Sequence, residues 1–205
     1  MRLFRIYLGL LVFMLGLAQA SAADQGPASE AIRTANTRVR ELLSTHAQPG
    51  SEASRKAASK ITRELRDLFD IGDLAKRALV DHWQEMSAAQ RTSLVDTLRL
   101  IVERNYIAQL RSNLNYDIVY QGEEPQGGDV LVKTVIKAER SGRPVEIPVE
   151  YLLHAEAGGF RAYDVVTDDV SILKNYRSQF NRIIAKEGID GLIRRMKAKL
   201  DKNED

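Results

Sequence analysis

The sequence predicts an α+β domain in which helices are followed by a four-stranded antiparallel sheet and then by helices again. Three observations carry this. Apolar residues recur at helical spacing from Glu30 to about residue 111. Between residues 116 and 169 the pattern changes to short runs rich in Val, Ile and Tyr, separated by turns full of Gly and Pro. After Ser171 the helical spacing returns and continues to Leu200. No stretch repeats, and 205 residues suffice for one ordinary domain or one domain with a small lobe.

The first 22 residues, "MRLFRIYLGLLVFMLGLAQASA", stand apart. Arg2 and Arg5 make a basic start, Ile6 to Ala18 is uncharged and mostly apolar, and A-x-A sites end at Ala20 and Ala22. The apolar run rises only about 20 Å as a helix, short of the roughly 30 Å hydrocarbon core of a bilayer. It reads as a secretory signal peptide over 1–22, cleaved near Ala20 or Ala22, with 23–205 as one mature domain. Of 30 Lys and Arg, removal of Arg2 and Arg5 leaves 28 against 28 Asp and Glu. That balance argues against nucleic acid as a partner, which needs a basic excess. The chain has no cysteine, so the exported protein relies on its core alone.

Residues 23–29, "ADQGPAS", are expected to be a flexible mature N-terminus. A helix from Glu30 to Ser44 carries Ile32, Val39, Leu42 and Leu43 on its apolar side, and "STHAQPGSEAS" is a polar loop with a turn at Pro49-Gly50. A second helix spans about 55–69. Asp70 caps a third, 72–82, bearing Leu74, Ala78 and Leu79, with Trp83 just beyond. Ser87-Ala88-Ala89-Gln90 has capping-box spacing and opens a long helix over 88–111, with Leu94, Leu98, Ile101, Val102 and Tyr106 on one side. "YDIVYQ", "DVLVKTVIKAE", "VEIPVEYLLHAE" and "FRAYDVVTDD" then read as a meander with turns at "EEPQGG", "RSGRP" and "EAGG". Pro148 places a bulge or an edge in the third strand. Helices over 172–186 and 189–200 close the chain.

Catalytic signatures are missing. There is no G-x-S-x-G, no cysteine nucleophile and no glycine-rich phosphate loop. His46, His82 and His154 are far apart and read as surface or satisfied residues rather than metal ligands. Asp164, Asp168 and Asp169 lack the spacing of a calcium loop and read as strand-end solvation. Nothing aims Tyr151, Tyr163 or Asp164 at a substrate as an acid or base. No enzyme, metal or cofactor is expected.

The conspicuous supply is aliphatic and aromatic. Val130, Val132 and Ile136 share one side of a strand, and Ile147, Val149 and Tyr151 share one side of the next. Val165 begins a third stripe, and Leu98, Val102 and Tyr106 offer a helical face. Two readings stay open: a closed core, or the lining of an apolar cavity where sheet and helices stop short of closing.

The junction from strand to helix narrows the function. Tyr163-Asp164-Val165, Val170-Ser171, Asn175-Tyr176-Arg177-x-x-Phe180 and Gly188-Ile189-Asp190-Gly191-Leu192 closely resemble the C-terminal signature of the MlaC family. These are periplasmic phospholipid-binding proteins, also known as toluene-tolerance auxiliary components of ABC transporters. "FDIGDLAKRALVDHWQEMSAAQR" and "ERNYIAQL" resemble the family's upstream segments, so the likeness covers roughly 30–200. Two departures stand out: Asp168-Asp169 where the family has an acid-glycine pair, and Leu79-Val80 where it has leucine-glycine.

The resemblance implies a twisted antiparallel sheet against several helices, enclosing an apolar cavity for acyl chains with the headgroup outside. It implies a carrier of phospholipid, held as cargo, that maintains outer-membrane lipid asymmetry. The implied partners are an outer-membrane lipoprotein–porin complex and an inner-membrane ABC transporter bearing an MCE-domain subunit; a related carrier of another lipid, such as a hopanoid, is the alternative. On this reading Leu79 and Trp83 join the stripes above as lining, and Val170, Ile172 and Leu173 continue the wall. Tyr176 and Phe180, four apart on one helical face, lock the last helix over the sheet. Arg177 is expected in a salt bridge or at the lipid phosphate. A charge at Val132 or Val149 is expected to evict cargo from a folded protein.

Overall fold

A computed structural model describes residues 26–44, 51–112, 116–140 and 142–201, with side chains excepted at 106–112 and 140. The signal peptide over 1–22, His46, the Pro49-Gly50 turn and the Tyr106 side chain lie outside the described residues.

Helix α1 spans Pro27–Leu43 and starts earlier than the spacing predicts, because Pro27 takes the first helical position behind Gly26. Residues 26–29 are therefore not a loose terminus, and Ala28 and Ser29 are fully buried. The Ser29 amide donates to Glu123 Oε2 at 2.6 Å, so a carboxylate from the sheet takes up an orphan amide of the helix start. Helix α2, Glu52–Leu68, is capped by the Ser51 hydroxyl, which accepts from the Ser54 amide at 3.2 Å. Asp70 Oδ1 caps α3, Ile71–Ala78, by accepting from the Asp73 amide at 2.9 Å. That helix ends four residues short of the expected 82, and Trp83 instead opens a separate 3-10 turn, Trp83–Glu85. Helix α4, Ala88–Ser112, begins in the expected capping box: the Gln90 amide donates to Ser87 Oγ at 3.2 Å and the Ser87 amide to Gln90 Oε1 at 2.9 Å. Among the described residues no helix is long and apolar enough to cross a membrane.

The sheet has five antiparallel strands in sequence order, not four: β1 (Tyr116–Gln126), β2 (Asp129–Arg140), β3 (Arg143–Glu156), β4 (Gly159–Thr167) and β5 (Val170–Ser171). β5 is two residues long, too short to show any alternation. β1 also runs through the predicted turn "EEPQ", its register shifting between Tyr120 and Gly122. Pro148 corrects the expectation of an edge or a bulge: it sits in the central strand, paired with Val135 of β2, and its carbonyl accepts from the Asp168 amide at 3.1 Å just before the β3–β4 ladder begins at Val149–Thr167. β4 is flanked on its other side by β5 and by a parallel bridge from Phe69 to Ala162.

Helix α5, Ile172–Asp201, is broken at Gly188, with φ 68° and ψ −177°, into the two expected helices. Its second half packs through Leu192, Ile193 and Met196 while Arg194 and Arg195 stay exposed, the latter paired with Glu187.

The core is divided. Ile71, Leu74, Leu79, Leu94, Leu98, Phe180 and Leu192 belong to a cluster of α3, α4 and α5 that, among the described residues, contains no strand residue. A second cluster sets Ala28, Ile32 and Ala35 of α1 and Leu68 of α2 against Val132, Leu153 and Ala162 of the sheet. A third, Val39, Ile61 and Leu65, joins α1 to α2. Phe69 packs against all three, so one aromatic ring hinges helices to sheet.

Candidate functional site

Cross-strand partners share a face, so the register defines one inner surface of the sheet: Val130–Leu153, Val132–Tyr151–Val165, Thr134–Val149 and Ile118–Ile136–Ile147. Toward one end helix α1 meets β1 through polar side chains, Asn36 donating to the Tyr120 hydroxyl at 3.1 Å and Arg40 to the Tyr116 carbonyl at 2.7 Å, and its apolar side packs on the opposite end. Val132 there is fully buried, and Val130 and Tyr151 pack against the same cluster. At the other end Ile118, Ile136 and Ile147 are half-buried and belong to none of the three clusters among the described residues; Val165, also half-buried, is likewise outside them. Val149 is buried between these ends, beside Thr134, whose hydroxyl donates to the Val149 carbonyl at 2.8 Å.

The expected lining is therefore split by the structure. Leu79, Leu98 and Phe180 are buried in the helical cluster, and Trp83, Val102, Leu173 and Tyr176 pack against it. Val170 and Ile172 do not continue a wall: they are 60% and 37% exposed, carried outward by the turn that precedes β5. Tyr176 and Phe180 do meet, with ring centroids 5.3 Å apart, but they fasten α5 to α3 and α4 rather than to the sheet. Burial raises the Tyr176 hydroxyl above its usual range.

An enclosed apolar cavity is not seen among the described residues. The best-formed concavity is an open groove of about 480 Å³ between α3, the 3-10 turn and α4, bordered by Asp73, Lys76, Trp83 and Arg91. A second, of about 380 Å³, runs along α5 beside Arg194 and Lys197. Of the expected lining only Trp83 borders either. Of the described candidates Leu79, Leu98, Val132, Val149 and Phe180 are buried, whereas Val170 and Ile172 are exposed.

The junction owes its geometry to a residue whose role the sequence did not reveal. Asp164, 4% exposed, accepts from Ser171 Oγ at 2.6 Å and from the Leu173 amide at 2.9 Å. Ser171 Oγ in turn accepts from the Lys174 amide at 3.0 Å, capping α5. One buried carboxylate thus ties β4 to β5 and to the first turn of α5. Among the described residues Arg177 meets a carbonyl rather than a carboxylate: its Nη2 donates to the Arg77 carbonyl at 2.6 Å, a cation at the C-terminal end of α3.

A polar cluster lies where α3 meets the β3–β4 hairpin. Tyr163 stacks on His154 at 6.1 Å and donates to Asp129 Oδ2 at 2.8 Å, with the Arg77 guanidinium 3.8 Å from its ring centroid. Burial and the hydrogen bond to Asp129 push the Tyr163 hydroxyl up to about 12. Asp168 and Asp169 are exposed turn residues, as expected.

The MlaC protein family model matches residues 33–198, most of the chain. The intermembrane phospholipid transport system binding protein MlaC of Haemophilus influenzae is 24% identical over 138 residues, which is 66% of this chain and 64% of that protein's length. The phospholipid-binding protein of Ralstonia solanacearum, solved in complex with a phospholipid, superposes over 88% of this chain and all of its own with a TM-score of 0.73 at 18% identity. Matched across nearly all its helices and strands, this chain belongs to the MlaC family.

Proposed function

We propose that the chain is a phospholipid carrier, exported by cleavage of residues 1–22 and working in the periplasm as a single domain over 23–205. It takes lipid between an outer-membrane lipoprotein–porin complex and an inner-membrane ABC transporter bearing an MCE-domain subunit, and so maintains outer-membrane lipid asymmetry. It works without catalysis or cofactor. The observation that carries the reading is the strip of Ile118, Ile136 and Ile147 on the inner sheet face, which is apolar, half-buried and, among the described residues, outside every packed cluster. Acyl chains lie along this strip and Val165, between sheet and helices. The divided core suits such cargo: among the described residues the helical cluster and the sheet cluster share Phe69 alone and are otherwise joined by polar contacts such as the Asp70 amide to the Ala162 carbonyl.

The energetics need no specific chemistry. A diacyl lipid holds roughly 30 methylenes, each resisting water by about 0.8 kcal/mol, so unaided passage through water is negligible. A carrier substitutes one apolar surface for another. Because the bilayer is an equal refuge, docking partners set the direction of flow.

The test is transfer of a fluorescent phospholipid between donor and acceptor vesicles. The wild-type protein is expected to speed transfer, and Ile136→Glu and Ile147→Glu to abolish it while keeping the circular dichroism of the fold. Absence of transfer by the wild type, or full transfer by both variants, refutes the assignment. Val132 and Val149 are unsuitable for this test, since both are buried and a charge there unfolds the protein.

A further inference from the structure

Asp70, His154 and Glu156 come together from the start of α3 and the end of β3. His154 Nε2 lies 3.4 Å from Asp70 Oδ2 and 3.1 Å from Glu156 Oε1, and its Nδ1 lies 3.2 Å from Asp73 Oδ2. The three atoms Nε2, Oδ2 and Oε1 fall within 4.8 Å of one another. We propose that this is a binding site for one first-row divalent cation of the zinc type, with Asp70, His154 and Glu156 as ligands and Asp73 behind the imidazole. The inference is independent of lipid carriage.

Three features argue for it. The first is spacing: donors about 2.0–2.2 Å from one ion, at tetrahedral or octahedral angles, lie about 2.9–3.5 Å from each other. The two histidine–carboxylate separations fall in that range. The second is the arrangement behind the ring. Metal-bound histidines donate their other N–H to a carboxylate, which fixes tautomer and orientation. Asp73 Oδ2 lies 3.2 Å from Nδ1, at ion-pair distance, and is itself held by Arg77 Nε at 2.6 Å. Stacking on Tyr163, with rings 8° from parallel, fixes the plane of the imidazole.

The third is hydrogen-bond accounting. A neutral imidazole has one donor and one lone pair, yet carboxylate oxygens face both nitrogens. Either neutral tautomer leaves a lone pair beside a carboxylate, and a second ring proton or a cation at Nε2 removes that conflict. Asp70 is free to ligate through Oδ2 because its cap on α3 uses Oδ1. Arg161 offsets charge without filling the gap: its Nη1 is 3.6 Å from Asp70 Oδ2 and 3.7 Å from Glu156 Oε1, while its Nη2 donates to the Phe69 carbonyl at 2.7 Å. Mixed imidazole and carboxylate donors suit zinc and its neighbours better than calcium or magnesium. Such an ion staples α3 to the β3–β4 hairpin next to Phe69.

The experiment is calorimetric titration of the tag-free protein with zinc chloride. One zinc per chain is expected, lost in His154→Ala and weakened about 10–100-fold in Asp73→Asn. His82→Ala, whose ring faces Glu85 instead, is expected to bind like the wild type. Should His154→Ala fail to fold, Glu156→Gln alters a largely solvated side chain and is expected to bind at least about tenfold more weakly. No saturable zinc on the wild type, unchanged affinity in the folded His154 or Glu156 variant, or equal loss in His82→Ala overturns the assignment.

Discussion

Replacing Asp164 by alanine removes the acceptor for two hydrogen bonds at once, from the Ser171 hydroxyl at 2.6 Å and the Leu173 amide at 2.9 Å. Hydrogen bonds to an ionised carboxylate contribute about 1.5–3 kcal/mol each. The variant leaves both donors in a site where Asp164 is 4% and Ser171 5% exposed. Losing a buried charge offsets part of the cost, which leaves a net destabilisation of about 3 kcal/mol. For a domain of this size that lowers Tm by roughly 6–12 °C. Asp164→Asn keeps an acceptor for the Leu173 amide and costs about 1 kcal/mol. Urea unfolding of Asp164→Ala, Ser171→Ala and the double variant measures the coupling directly, and about 1–2 kcal/mol is expected for groups in contact. An alanine variant within about 0.5 kcal/mol of wild type, or additive single costs, refutes the role given to this carboxylate.

Three further outcomes follow from the backbone and from Tyr163. Gly188→Ala is expected to cost about 1–3 kcal/mol in urea unfolding, because φ 68° with ψ −177° is essentially a glycine conformation; an added Cβ meets no atom within 4 Å, so the loss is conformational. Asp169→Gly is expected to stabilise by about 0.5–1 kcal/mol: Asp168 and Asp169 have φ 49° and 63°, and relief of the left-handed penalty exceeds the added entropy of glycine. A measured loss of stability contradicts that reading. Tyr163 makes stability fall at high pH. Its folded pKa of about 12 exceeds the ordinary value of about 10, so its contribution is complete below pH 10 and is lost as pH rises through 12. Tyr163→Phe is expected to flatten that decline in stability curves taken across this range, and an unchanged slope counts against it.

Much of the fold was legible because it rests on local signals. The Ser87–Gln90 capping box, the Asp70 cap and the glycine between the last helices act through neighbours in sequence. β5 was not legible, since two residues carry no alternation and its pairing comes from Thr167 and Val166. Nor was the early start of α1, which Glu123 supports from the far side of the chain. The candidate site was half legible for a similar reason. Alternation puts Val132 and Ile136 on one face, yet only Val132 shares a cluster with α1, whose contacts near the Ile118–Ile136 end come from the polar Asn36 and Arg40. The His154 cluster draws ligands from α3 and β3, whose approach no spacing rule foretells.

Binding of lipid is tested most directly by native mass spectrometry of the protein purified from the periplasm, compared with Ile147→Glu. The wild-type chain is expected to carry an added mass that fragments to a diacyl phospholipid, and the variant to appear bare. A wild-type chain that arrives without lipid, or a variant equally loaded, contradicts the account.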